Sequence, residues 1–190
     1  MLGADDDAAA AAALLDERRG DWQTTIPRRF WSARLTDLQA PVGTELAQWA
    51  DDDDRGNLVL LGAVGVGKTH AAIAACRPAF GRGSSLTFLP IGELLDRLDW
   101  RRPDSATTMD DLCSVDLLVV DDLGTERSNE WTGERLYLVI NRRWLDGRPT
   151  IVTANMTAEQ LTDAVGERTY SRLAHGALAL MLTGKDHRRG

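Results

Sequence analysis

The chain has 190 residues, 43% of them apolar, which is enough for one hydrophobic core and too few for two comfortable domains. Its net charge of -7 argues against a generic nucleic-acid-coating protein, although two short runs, residues 5–7 and 51–54, hold seven of the carboxylates and leave room for a basic patch elsewhere. Cys76 and Cys113 lie outside any CxxC or Cys/His spacing, which excludes a disulfide framework and points to a reducing compartment. No apolar run approaches the length of about 20 residues that crosses a bilayer. The start lacks the basic and apolar segments of a signal peptide, so the expected location is the cytoplasm, with no membrane partner.

In chain order, residues 1–13 are mostly Asp and Ala and read as a frayed tail, and 14–20 as an added helical turn. Residues 35–50 predict a helix with Leu38, Leu46 and Trp49 inward. NLVLL at 57–61 predicts a buried strand, followed by a glycine loop and a helix over about 69–77 that Pro78, Gly81 and Gly83 should end. A strand at 86–89 precedes an amphipathic helix over 91–100, with Ile91, Leu94, Leu95 and Leu98 at spacings of three and four. Further strands are expected at 115–121, 149–154 and 177–182. Helices are expected at 130–145, 159–165 and 167–174. Apolar strands alternating with helices predict an α/β fold with a parallel sheet covered on both faces.

Residues 62–69, GAVGVGKT, satisfy the phosphate-loop spacing between a strand and a helix. Backbone N–H groups of Gly62, Ala63, Val64, Gly65, Val66 and Gly67 can turn inward around phosphate oxygens, assisted by the helix N-terminus. Lys68 should contact the β and γ phosphates, and the Thr69 hydroxyl should ligate Mg²⁺. His70 extends the nucleotide-binding set at the helix start, although its side chain reads as helix surface. Asp121 and Asp122 follow an apolar strand at its C-terminal end, where ligands bind in an open parallel sheet. Asp121 is expected to hold Mg²⁺ through water, and Asp122 to orient or activate the attacking water.

Two features stay open on spacing alone. Asn155 could hydrogen-bond the water or the γ-phosphate, or else Asn155 or Thr157 could cap the following helix. Arg168 and Arg172 share one helix face. They could serve phosphoryl transfer in trans, or Arg168 could pair with Glu167 or Asp163.

Beyond these motifs, the chain resembles the AAA+ ATPases, and within them the DnaC/IstB-like group of helicase loaders and transposition ATPases. The resemblance rests most on LLVVDDLGTERSNEWTGERLYLVINRRW (117–144) and PTIVTAN (149–155). IPRRFWSARLTDL (26–38) and GERTYSRLAHGALALMLTGKDHR (166–188) add to it. It implies an AAA+ phosphate-loop core over 26–190 with a five-stranded parallel sheet in the order 5-1-4-3-2 and little or no C-terminal lid. Residues 1–25 would be a tail and short helix able to contact a partner. It also implies ATP and Mg²⁺ as cofactors, Asp121 and Asp122 as the Walker B pair, and Asn155 as the sensor-1 residue. Arg168 would be the arginine finger toward a neighbouring subunit, with Arg172 as the second arginine of that box. The implied activity is ATP hydrolysis by a replicative helicase loader that assembles into an ATP-dependent ring or spiral. The implied partners are the helicase and single-stranded DNA, the latter touched by an inserted helix within residues 91–112 whose basic residues are Arg97, Arg101 and Arg102; with Asp96, Asp99 and Asp104 among them, these arginines read equally as a solvated helix face. An IstB-type transposition ATPase would share every catalytic residue. A nucleotide-gated adaptor that scarcely hydrolyses ATP is the third reading.

Overall fold

The computed structural model describes residues 21–124 and 130–186. The expected tail at 1–13 and turn at 14–20 therefore lie outside the described residues. Five strands form one all-parallel sheet: β1 (Leu58–Gly62), β2 (Leu86–Pro90), β3 (Leu117–Asp121), β4 (Thr150–Ala154) and β5 (Leu178–Leu182). Their spatial order is 2-3-4-1-5, which is the expected order counted from the other edge. The connecting helices are α1 (Val42–Asp51), α2 (Lys68–Gly81), α3 (Ile91–Arg97), α4 (Ser105–Ser114), α5 (Glu130–Leu145), α6 (Ala158–Val165) and α7 (Glu167–Ala174).

The continuous apolar strands make sense because alternate residues feed two separate cores. Leu58, Leu60, Leu117, Val119 and Ile151 face one layer with Leu46 and Trp49 of α1 and the alanine-rich α2. Val59, Leu61, Leu118, Val120 and Val152 face the other, with Leu94 of α3, Ile140 of α5, Leu161 of α6 and Leu173 of α7. Residues 21–25 are helical. Trp22 from that turn is buried, with its ring 5.2 Å from that of Phe80. Among the described residues no helix is long and apolar enough to cross a membrane.

Three boundaries differ from expectation by more than two residues. The helix expected from residue 35 starts at Val42, because residues 35–37 form a separate 3-10 turn and the residue before Pro41 is pushed out of the helical region. Next, α2 continues through Pro78 to Gly81. Burial of Ala79 and the packing of Phe80 on Trp22 hold that last turn helical despite the lost backbone donor. Finally, the amphipathic run stops at Arg97 rather than 100, and α4 is an additional helix. Its stretch SATTMDDLCS carries too few apolar residues for periodicity to mark it.

Candidate functional site

The carboxyl ends of β1, β3 and β4 bring Gly62, Asp121 and Ala154 to one side of the sheet. The loop after β1 turns back tightly. Gly62 has φ +140°, and a β-carbon there would fall 2.2 Å from the Leu182 carbonyl of the adjacent β5. Gly65 (φ +84°) lies against Asp186, whose Oδ1 would be 1.9 Å from an added β-carbon. At Gly62 the backbone clash leaves room only for glycine, and at Gly65 the positive φ disfavours any side chain. Gly67, at φ +96°, caps α2 and aims the first amides of that helix into the loop, where they form a concavity suited to an anion.

Lys68 is buried at 5% exposure, and its ammonium is held by acceptors. It donates to Gly62 O at 2.9 Å, Ala63 O at 2.7 Å and Asn155 Oδ1 at 2.6 Å. The Asn155 amide, oriented by this bond, donates from Nδ2 to Asp122 Oδ1 at 3.0 Å. One amide thus links the loop lysine to the second carboxylate. Capping of α6 falls to Thr157, whose hydroxyl accepts from Gln160 N while Gln160 Oε1 accepts from Thr157 N. That division of labour leaves the Asn155 side chain to the cleft.

Asp121 lies on the floor. Its Oδ1 accepts from Thr69 Oγ1 at 2.9 Å and from Thr153 Oγ1 at 2.7 Å. Burial pushes its carboxyl above the ordinary aspartate value; the two hydroxyls pull it down, the Asp122 charge pushes it up again, and Lys68 lowers it. Asp122 sits at φ +57°, a left-handed conformation that Asp tolerates better than most residues. Its N–H donates to Thr153 Oγ1 at 3.0 Å, and Leu123 N donates to Thr153 O at 2.8 Å. Thr153 therefore fixes the turn after β3.

The raised Asp121 value predicts a stability effect. The folded state holds this proton more tightly than the unfolded chain does. The group's contribution is therefore favourable below the unfolded value and is lost as pH rises through the folded one. Asp121→Asn is accordingly expected to raise the Tm of the nucleotide-free protein at neutral pH, with the gain shrinking as pH falls toward the ordinary aspartate range. Thermal melts across that range check it, and a pH-independent Tm difference would contradict it.

Above these groups opens a cleft of about 390 Å³ lined by Gly65, Val66, Gly67, Lys68, Thr69, His70, Asp122 and Asn155. Sequence reasoning missed its other wall: Arg29, Phe30, Asp37 and Leu38 from the lead-in segment. His70 Nε2 lies 3.1 Å from Asp37 Oδ2. No local pattern links positions 33 residues apart, although the quoted IPRRF run holds the two aromatic and basic members.

Arg168 is not among the cleft-lining residues. It is exposed on α7, donates from Nη2 to Tyr137 OH at 2.8 Å, and lies 4.3 Å from that ring's centroid. Neither Glu167 nor Asp163 forms an ion pair with it among the described residues. Arg97, Arg101 and Arg102 meet local carboxylates: Glu93 at 2.6 Å, Asp99 at 3.3 Å, and Asp96 at 2.9 Å with Asp104 at 3.6 Å.

A phosphate loop on β1, an acidic pair ending β3, a polar amide ending β4 and the 2-3-4-1-5 order define a nucleotide-binding protein of the AAA+ fold. More narrowly, the chain belongs to the family described as IstB-like ATP binding protein, whose profile matches residues 33–189. It is similar to the replicative helicase loader DnaC of Escherichia coli K12, with 28% identity over 129 residues, 66% of this chain and 53% of that protein. It is also similar to the insertion sequence IS21 ATP-binding protein of Pseudomonas aeruginosa, with 26% identity over 92% of this chain and 68% of that one. The chain spans about half the length of the DnaC relatives it matches. Among solved structures, the DnaC helicase loader superposes with a TM-score of 0.75 at 22% identity, covering 83% of this chain and all of that one. DnaA bound to AMPPCP and single-stranded DNA superposes at 0.71 and 20% identity, over 80% of this chain and 50% of that one.

Proposed function

We propose that this protein is an ATP-dependent helicase loader of DNA replication, a slow Mg²⁺-dependent ATPase that binds single-stranded DNA and acts in the cytoplasm. The observation that carries the enzymatic part is the Lys68–Asn155–Asp122 chain beside the Thr69–Asp121 pair. Such a chain couples a phosphate-contacting cation to the carboxylate that would take a proton.

The residues fit ATP and Mg²⁺. The positive-φ glycines give close access to the loop amides, and a buried ammonium sits at the loop's base. A hydroxyl and a carboxylate, Thr69 and Asp121, share one spot as hard oxygen donors. Mg²⁺ bound there would neutralise charge developing on the transferred phosphoryl oxygens. Lys68 exchanges its carbonyl acceptors for phosphate oxygens. Asn155 holds the Asp122 carboxylate in place, and Asp122 orients the attacking water as general base. Arg168, which does not line its own cleft, reaches a neighbouring subunit's nucleotide in an ATP-dependent ring or spiral.

The loader role is supported by the likeness to DnaC, with residues 1–25 as the proposed helicase contact. A second reading, an IstB-type transposition ATPase that regulates a transposase, is supported equally by the family match and the IS21 relative. Affinity capture with an Asp122→Asn bait from the native cell, read by mass spectrometry, separates them: a replicative helicase supports the first and a transposase the second. DNA contact is tested separately. Arg97→Ala, Arg101→Ala and Arg102→Ala together are expected to weaken single-stranded DNA binding and to flatten its salt dependence. An unaltered titration curve would remove the insert as the DNA contact.

A further inference from the structure

The opposite end of the sheet holds a second cavity, which the nucleotide cleft does not use. The strands β4, β1 and β5 are neighbours in the sheet, and the connections that lead into their amino ends enclose a space of about 370 Å³. The length of β1 separates it from the phosphate loop by roughly 17 Å, at about 3.3 Å a residue. Two of the connections touch closely. A β-carbon on Gly56 would fall 2.0 Å from Gly176 O, and Gly56 O accepts from Trp49 Nε1 at 3.0 Å.

The charged side chains around this space are mostly cationic. Arg55, Arg148 and His175 line it beside the Trp144 ring, and Asp54 is the single carboxylate among the lining residues. Asp54 is exposed, so water and salt screen it. Arg148 donates from Nη1 to Asp116 Oδ1 at 3.1 Å, one bond from a group with five donors. The Arg172 guanidinium lies 4.2 Å over the Trp144 ring, and His175 meets that ring edge-on at 5.6 Å.

Arg55 is the anomaly. Its side chain is only 10% exposed, and its Nε is buried without a hydrogen-bond partner. The carboxylate that approaches it, Asp53, stays 4.0 Å from Nη2 and is itself 98% exposed. The Trp49 ring lies 5.8 Å away, at the outer limit of a cation–π contact. Folded proteins give nearly every such donor an acceptor, and among the described residues none forms a hydrogen bond with this guanidinium. Water accepts hydrogen bonds but brings no charge to set against two converging arginines.

We infer that this cavity is a second anion site, which takes a small phosphate monoester. Its oxygens would lie between Arg55 and Arg148, with His175 as a further donor and the organic part against Trp144. A tetrahedral dianion presents acceptors in several directions, as guanidinium groups from two different connections require, whereas a carboxylate matches one planar fork. Nothing in this site depends on the chemistry proposed at the phosphate loop.

Isothermal titration calorimetry with glycerol phosphate tests it, on full-length protein already saturated with Mg²⁺ and a non-hydrolysable ATP analogue. One monoester per chain is expected to bind. Arg55→Met keeps the aliphatic stem, removes the donors and should weaken binding by about 10-fold or more, the worth of a hydrogen bond to a charged group. Arg148→Gln, at a more exposed position, should weaken it as well and carries the test if Arg55→Met fails to fold. Thermal melts in phosphate-free buffer give a second readout: glycerol phosphate should raise the Tm of the wild type and leave that of Arg55→Met unmoved. No binding to the wild type, or binding that neither variant weakens, would overturn the inference. Succinate binding as tightly as glycerol phosphate would overturn it too.

Discussion

Asp122→Asn is expected to lower ATP hydrolysis by about 10²- to 10⁴-fold, the usual contribution of a positioned general base, while nucleotide affinity stays within a few-fold of wild type. The asymmetry follows from the geometry. Asparagine tolerates the left-handed conformation of residue 122 and has nearly the shape of aspartate, so the turn held by Thr153 should survive. The phosphate loop, Lys68 and the Thr69–Asp121 pair are untouched. Only the proton acceptor is lost. Lys68→Ala provides the contrast, because it removes the cation at the base of the loop and should abolish binding as well as turnover. Equilibrium titration with a fluorescent ATP analogue and a phosphate-release assay on the same preparations separate the two effects. Wild-type hydrolysis in Asp122→Asn would take this carboxylate out of the reaction. If that variant instead failed to hydrolyse ATP yet supported its partner fully, the nucleotide-gated adaptor would be the better description.

Arg143→Ala should destabilise the fold by about 3–5 kcal/mol, because it leaves several buried carbonyls without a donor, at about 1–3 kcal/mol for each that water does not reach. Arg143 has 0% exposure, and all five guanidinium donors find oxygen. Nη1 donates to Leu112 O at 2.8 Å and Val115 O at 2.7 Å. Nη2 reaches Pro149 O at 2.8 Å and Asp116 O at 3.2 Å, and Nε reaches Thr150 Oγ1 at 3.1 Å. One side chain thereby joins the last turn of α4 to the starts of β3 and β4. Its partners are carbonyls and a hydroxyl, so burial lowers its pKa to about 10, which still leaves it charged at neutral pH. Arg143→Lys should rescue little, since three ammonium donors cannot span five acceptors in a plane. For a chain of this size the loss corresponds to a Tm drop of roughly 10 °C. Differential scanning calorimetry reads it, and a wild-type Tm for Arg143→Ala would show that water replaces the network without penalty.

Much of the nucleotide site was legible because its chemistry is local. A loop of eight residues must contain glycines where φ is positive and a lysine and threonine at the first helical turn, so GAVGVGKT could be read without a fold. The sheet was legible for a similar reason. Strands buried on both faces have to be apolar throughout, and NLVLL and LLVV are. Helix limits were less secure. Pro78 is a helix breaker by propensity, but the packing of Ala79 and Phe80 outweighs that preference. Helix α4 offers only the short apolar spacing of Met109, Leu112 and Cys113, which pack in the core, and its last turn is tied by an arginine 31 residues away from Leu112.

The choice between capping and site-facing roles for Asn155 could not be made along the chain. It was decided when β4 was laid beside β1 and β3, which put the amide between Lys68 and Asp122. The second wall of the cleft and the seating of Arg168 on Tyr137 have the same origin, since each joins groups more than 30 positions apart. By itself the sequence determined the phosphate loop, the acidic pair and the parallel alternation of strands and helices, because those depend on backbone conformation and burial within short segments. Which side chains share the cleft, which arginine is buried as a clamp and which stays exposed were decided by tertiary structure alone, because hydrogen bonds and ring contacts depend on distance in space and carry no signature in spacing along the chain.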